Sequence, residues 1–132
     1  MATVIDEGLV AYLAGFPGVA AEVGERIYPA PLPQGVELPA VTYSDVSNTA
    51  SYSHDGPDCL QRARYQIDHW AATREAATRV ERATRAALSG FRGRWGGLTI
   101  GGVFRRNSWT LHEPETQLWR AISDYQINAT GE

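Results

Sequence analysis

Arg62-Ala-Arg-Tyr-Gln-Ile-Asp-His-Trp70 runs directly into Ala71-Ala-Thr-Arg-Glu-Ala-Ala-Thr-Arg-Val-Glu-Arg-Ala-Thr-Arg-Ala-Ala-Leu88, and the hydrophobic period changes at the junction. Up to Trp70 the residues alternate, as on a strand whose side chains point to opposite faces. Beyond Thr73 the positions Ala76, Ala77, Val80, Ala83, Ala87 and Leu88 recur at helical spacing. The stretch therefore predicts a strand that delivers the chain into an amphipathic helix, with Thr73 as N-cap and Ser89-Gly90 as the stop. Glu75 with Arg79 and Glu81 with Arg85 have the favourable i,i+4 order and are expected on an exposed face.

Upstream, Thr3 with Asp6 and Glu7 has the form of an N-cap and acidic first turn, and Ile5, Leu9, Tyr12, Leu13 and Phe16 make one helical stripe. Pro17-Gly18 ends that helix, and Val19 to Val23 is expected to add a further turn closed by Gly24. The prolines of residues 29–39 predict an extended arm. Ala40 to Val46 reads as a strand, and 47–59 as a long polar loop. Downstream, glycines 90, 93, 96 and 97 form a flexible link to strands near Leu98 to Arg106 and Leu118 to Asn128, separated by a second long loop at 107–117. Gly101-Gly102 predicts a bulge or a close backbone approach.

This order predicts one α+β domain over residues 1–132: a two-layer sandwich of a four-stranded, largely antiparallel sheet with two main helices on one face. The expected strand order is 1-2-4-3. The second and fourth strands then become neighbours, and a register placing Arg64 opposite Asp124 and Asp68 opposite Arg120 would form two cross-strand ion pairs.

Composition narrows the function classes. The 132 residues carry 43% hydrophobic and 20% charged side chains, the balance of a soluble globular domain. No apolar run has the length of a membrane span, and the acidic N-terminus lacks the features of a secretory signal, so a soluble, non-exported product is expected. All twelve basic residues are Arg, which removes lysine Schiff-base and P-loop chemistry. A net charge of -3 argues against free nucleic acid as the main partner. Cys59 is the sole cysteine, so no intramolecular disulfide forms.

Several residues have the right type for chemistry but the wrong arrangement. Asp68 and His69 are adjacent on a strand, point to opposite faces and do not make a dyad. Cys59 with His54, or with His69, would be the nucleophile and base of a small hydrolase, but no oxyanion-hole motif accompanies them. The ligand types of His54, Asp55, Asp58 and Cys59 match neither a zinc nor a calcium spacing. Glu113 and Glu115 flank a turn, and Arg92 and Arg94 sit among glycines without a phosphate fingerprint. No catalytic set, metal or cofactor is expected.

Three segments together resemble the tail-completion family of long-tailed bacteriophages and related gene-transfer particles, whose members act as tail terminators in tail-to-head joining. They are Arg26-Ile-Tyr-Pro29 with Pro33-Gln-Gly35 and Leu38-Pro39, Arg64-Tyr-Gln-Ile-Asp-His-Trp-Ala71 before the Arg/Ala-rich helix, and Glu113-Pro-Glu-Thr-Gln-Leu-Trp-Arg120. The resemblance implies a non-enzymatic virion protein that forms a ring, expected to be a hexamer, at the head-proximal end of the tail. Such a ring ends tube polymerisation, meets the tail tube protein and a head-completion or neck protein, and lets DNA pass through its lumen without specific binding. A head-side connector component is the alternative of the same class. Ring closure needs two different complementary surfaces, for which Arg74, Arg79, Arg82 and Arg85 against Asp55, Asp58, Glu113 or Glu115 are the candidates.

Overall fold

The computed structural model describes residues 2–52 and 59–131. The elements in chain order are α1 (Ala2–Gly15), α2 (Pro17–Val23), β1 (Ile27–Pro29), β2 (Ala40–Tyr52), β3 (Cys59–Ala71), α3 (Arg74–Leu88), β4 (Gly93–Trp95), β5 (Leu98–Glu113) and β6 (Leu118–Gly131). The strands form one sheet in the order β1-β2-β3-β6-β5-β4, curled into a half-barrel with the helices on one face. Each neighbouring pair is antiparallel except β1 and β2, which run parallel.

This corrects the expected four-stranded antiparallel sandwich with two helices: the sheet is mixed and six-stranded, and there are three helices. The missed strands, β1 and β4, have three residues each, too few to show alternation, and they contain Pro29 and Gly93. The parallel pairing arises because residues 30–39 carry the chain back to the start of β2. Both expected long loops are also shorter than predicted. Residues 47–52 continue β2 and 107–113 continue β5. Their Ser, Asn and Thr side chains read as loop, but a paired ladder satisfies the backbone whatever the side chains are. The rest of the first loop, 53–58, lies outside the described residues.

The strand-to-helix junction is built as its period requires. Thr73 has extended backbone angles and its Oγ1 accepts from the Ala76 amide at 3.1 Å, satisfying one of the free donors of the first turn of α3. Along β3, Ala63, Tyr65, Ile67, His69 and Ala71 are buried beneath the helices. Opposite Ala63, Tyr65, Ile67 and His69 on β6 stand Ile127, Tyr125, Ser123 and Ala121, all buried as well.

α1 begins at Ala2, so Thr3 falls within the helix rather than at its cap. Its Ile5, Leu9 and Leu13 are fully buried, and each contributes about 1.5–3 kcal/mol by leaving water. Tyr12 fastens the helix by donating to the Ala87 carbonyl at 2.6 Å and by packing on Phe91, with ring centroids 4.5 Å apart. Tyr65 donates a short hydrogen bond to Asp6, joining α1 to the middle of the sheet.

α1 also approaches β4 so closely that only glycine fits at position 8. A Cβ added there would lie 2.7 Å from Trp95 Cβ, an atom held by the backbone. Gly8→Ala is expected to lower stability by about 1–3 kcal/mol, the usual cost of overpacking, despite the better helix propensity of alanine. A denaturant melt at constant m-value checks this; an unchanged or raised midpoint would show that α1 slides without cost.

Candidate functional site

Three places gather polar chemistry: a buried cluster beneath α3, an ion-paired patch on the opposite sheet face, and the outer surface of α3. In the first, the Glu81 side chain is only 5% exposed. Arg85 binds it through Nη2 to Oε1 at 2.6 Å and Nε to Oε2 at 3.2 Å, Ser123 Oγ donates to Oε2 at 3.1 Å, and Arg105 Nε lies 3.6 Å away. Burial pushes the Glu81 carboxyl up, but the bond and charge of Arg85, with the Ser123 hydroxyl, bring it below its ordinary value. The Glu81–Arg85 pair was expected on an exposed face. The i,i+4 spacing from Ala77 places Glu81 on the buried ridge instead, and this residue escaped the sequence reading because buried carboxylates are uncommon.

His69 lies within the same layer and is fully buried. Its Nδ1 donates to the Ala121 carbonyl at 2.8 Å, which fixes the neutral Nδ1–H tautomer, and Nε2 has no partner among the described residues. Burial lowers its pKa, against the opposing influence of Ala121, Glu81 and Asp68. Tyr125, also in this layer, is raised above its ordinary value by burial and by Glu81.

On the opposite face Asp68 accepts from Arg120, with Nη2 to Oδ2 at 2.7 Å, and Arg120 Nη1 reaches Glu113 at 3.0 Å. The Arg120 guanidinium lies over the Trp70 ring at 4.9 Å, and Trp70 Nε1 donates to Thr42 Oγ1 at 3.0 Å. The proline arm folds over this patch and encloses an open cavity of about 790 Å³ between Pro31, Pro33, Leu38, Trp70 and Leu118. Arg64 and Asp124 approach to 4.0 Å with Arg64 half exposed, a pair of little energetic weight. The register differs from the expected one by two residues. Arg64 stands opposite Gln126 and Asp68 opposite Ile122, so both ion pairs are diagonal. Long arginine side chains span that diagonal, which is why charge spacing alone does not set the register.

The α3 arginines do not act as a group. Arg85 is turned inward to Glu81, Arg79 is tied to Glu22 of α2 at 3.1 Å, and Arg74 lies over Trp119 at 5.9 Å. Arg74, Glu75, Thr78, Arg79 and Arg82 line a shallow concavity. Among their expected acidic partners, Glu113 is engaged by Arg120 and Glu115 is exposed in the β5–β6 turn. Asp55, Asp58 and His54 lie outside the described residues, as does the Cys59 side chain. Among the described residues no three His, Cys, Asp or Glu groups are placed to hold a metal ion. The strand keeps Asp68 with Arg120 on one face and His69 with Ala121 on the other, so the two do not act on one atom.

The sequence profile of the family described as "Tail completion protein gp17" matches residues 7–129. No curated protein matches the chain. Among solved structures, a chain of the "Virion of native gene transfer agent (GTA) particle" superposes with a TM-score of 0.73 at 16% identity, covering 93% of this chain and 92% of that one. At that identity the likeness is one of fold.

The buried histidine makes stability depend on pH. Unfolded, His69 takes up a proton near its ordinary value of 6.5; folded, with its pKa lowered, it does not. Stability from this group is therefore full above about pH 6.5 and falls below it by at most about 1.4 kcal/mol per pH unit until the folded group titrates. Denaturant midpoints between pH 7.5 and 5.5 should fall for the native chain and fall less for His69→Gln. Equal slopes would mean that the imidazole is protonated in place.

Proposed function

Because the chain belongs to the tail completion protein gp17 family and is thus a structural tail protein, we propose that it assembles as a hexameric ring on the head-proximal end of the tail. There it ends polymerisation of the tube protein and presents a surface to a head-completion or neck protein. The observation that carries this reading is the family match across nearly the whole chain, supported by a fold shared with a chain of a gene-transfer virion. The role is architectural rather than catalytic. DNA passes through the lumen without specific contacts, in keeping with a net charge of -3.

The outer surface of α3 fits a place in the subunit contact. Arg85 is turned inward and Arg79 is paired with Glu22 on the surface, so Arg82 with Arg74 presents cations to a neighbour and Arg79 would exchange its exposed partner on assembly. Glu115 in the β5–β6 turn is the exposed carboxylate that such a neighbour offers. Asp55 and Asp58 are further candidates for the acidic side. Two different surfaces meeting head to tail are what a closed ring requires.

Added to purified tail tubes with free tube protein, the chain should halt elongation at one end and appear there as a ring under the electron microscope. Tubes that grow at the same rate, or a chain that binds only head-side connectors, would refute the terminator role. Arg79→Glu with Arg82→Glu should reduce ring formation several-fold by native mass spectrometry while leaving the circular dichroism of the subunit unchanged. Rings of undiminished yield would remove α3 from the contact.

A further inference from the structure

Two stretches of strand have no strand against their outer edge among the described residues. β4 covers β5 only over Leu98–Ile100, and a bond from the Gly90 amide to the Val103 carbonyl protects one position more. From Phe104 to Glu113 that edge is open. At the other side of the sheet β1 covers β2 only through Tyr43, leaving Ser44 to Tyr52 open. Unpaired edges of nine or ten residues are templates for another strand, and a chain that remained a monomer would be expected to blunt them.

The exposed apolar side chains single out the same two edges. Val46 is 60% exposed, Phe104 45%, Leu111 42% and Trp109 37%; these are the large hydrophobic residues most open to solvent among the described side chains, and all lie on the open stretches. Scattered exposure needs no explanation, but confinement to two edges does.

The ladder also sets the two edges at matching heights. Ser44 leads through Gln66 and Asp124 to Asn107, Asp45 through Tyr65 and Tyr125 to Arg105, and Ser47 through Arg64 and Gln126 to Phe104. A bulge interrupts each edge at this level, Val46 on β2 and Arg106 on β5. The β2 corner carries the acid Asp45 and no base; the β5 corner carries Arg105, which leans inward to Glu81, and Arg106, which is exposed and bonds only the neutral Gln126 there. Three successive antiparallel pairings make β2 and β5 run in opposite directions. Rotation about a ring axis along the strands preserves those directions, so β2 of one copy meets β5 of the next antiparallel.

We infer that the β2 edge from Ser44 pairs with the β5 edge from Phe104 of a second copy of this chain, continuing the sheet from subunit to subunit. This rests on the ring reading and supplies its main-chain contact. Val46 packs against Phe104, and Asp45 faces the exposed Arg106. The two surfaces are different and complementary, as a head-to-tail ring requires, and backbone hydrogen bonds give such a joint strength without demanding a particular side chain at each position.

Hydrogen exchange of rings on tail tubes, compared with the free subunit, tests the pairing. Amides in 44–49 and 104–111 should both slow at least tenfold on assembly. Rings in which these segments exchange at the subunit rate would overturn the edge joint and leave the ring reading standing; absence of any ring by native mass spectrometry would overturn both. Val46→Lys and Phe104→Lys, at exposed positions, should each keep the subunit's melting midpoint and abolish rings. Rings of unchanged stoichiometry and yield from both variants would also overturn the joint.

Discussion

β3 and β6 are hydrogen-bonded along both of their edges, and every other packing relation is referred to that fact. A strand held on two sides cannot rotate, so its alternation becomes a fixed partition of side chains between two environments. Tyr65, Ile67 and His69 go to the helices; Arg64, Gln66 and Asp68 go to the outer face. A slip of one residue would bring Arg64 and Asp68 under α1 and α3 while exposing Tyr65, which bonds Asp6. The register is therefore set by burial, and the ion pairs adapt to it diagonally.

The buried Glu81 shows how the outer strand is joined to this centre. Glu81 on α3 offsets its desolvation first through Arg85 and then through the Ser123 hydroxyl of β6, and removing one partner of a buried pair typically costs about 3–5 kcal/mol. Arg105 supplies the second cation from β5 only because of a bulge. Leu98 and Ile100 face the helices, and uninterrupted alternation would next bring Gly102 and Phe104 inward. The register shift at Gly101 turns Val103 and Arg105 inward instead. The second shift, at Arg106, restores the phase, so that Trp109 and Leu111 emerge with Phe104 on the face away from the helices.

The parts legible in the sequence are those whose local pattern agrees with their tertiary setting. Thr73, Ser89 and the period of 74–88 define α3, and Gly101-Gly102 marks the first bulge of β5, because caps and bulges depend on backbone conformations that few residues adopt. The three-residue strands were not legible, since their pairing comes from residues distant in the chain. Nor was the strand character of 47–52 and 107–113, whose polar residues satisfy a ladder as well as a loop. Among the site residues, the opposition of Asp68 and His69 follows from alternation alone. The burial of Glu81 does not: its neighbours Arg82 and Arg85 give it the look of a solvated face, and partners remote in the chain, Ser123 and Arg105, join Arg85 in making an inward position tolerable.

These features separate what folds the subunit from what remains open in it. The helices, the aromatic contacts around Tyr12 and the Glu81 cluster all lie on one face and are completed within a single chain. Among the described residues, the short flanking strands leave the sheet's outer edges open beyond Tyr43 and beyond Val103. Lengthening β1 or β4 would satisfy more backbone in the monomer, yet it would also close the positions where a further strand can add. Short flanking strands carry a physical advantage for strand addition: an interface made from already extended backbone requires little reordering, so little conformational entropy is lost when a further strand arrives.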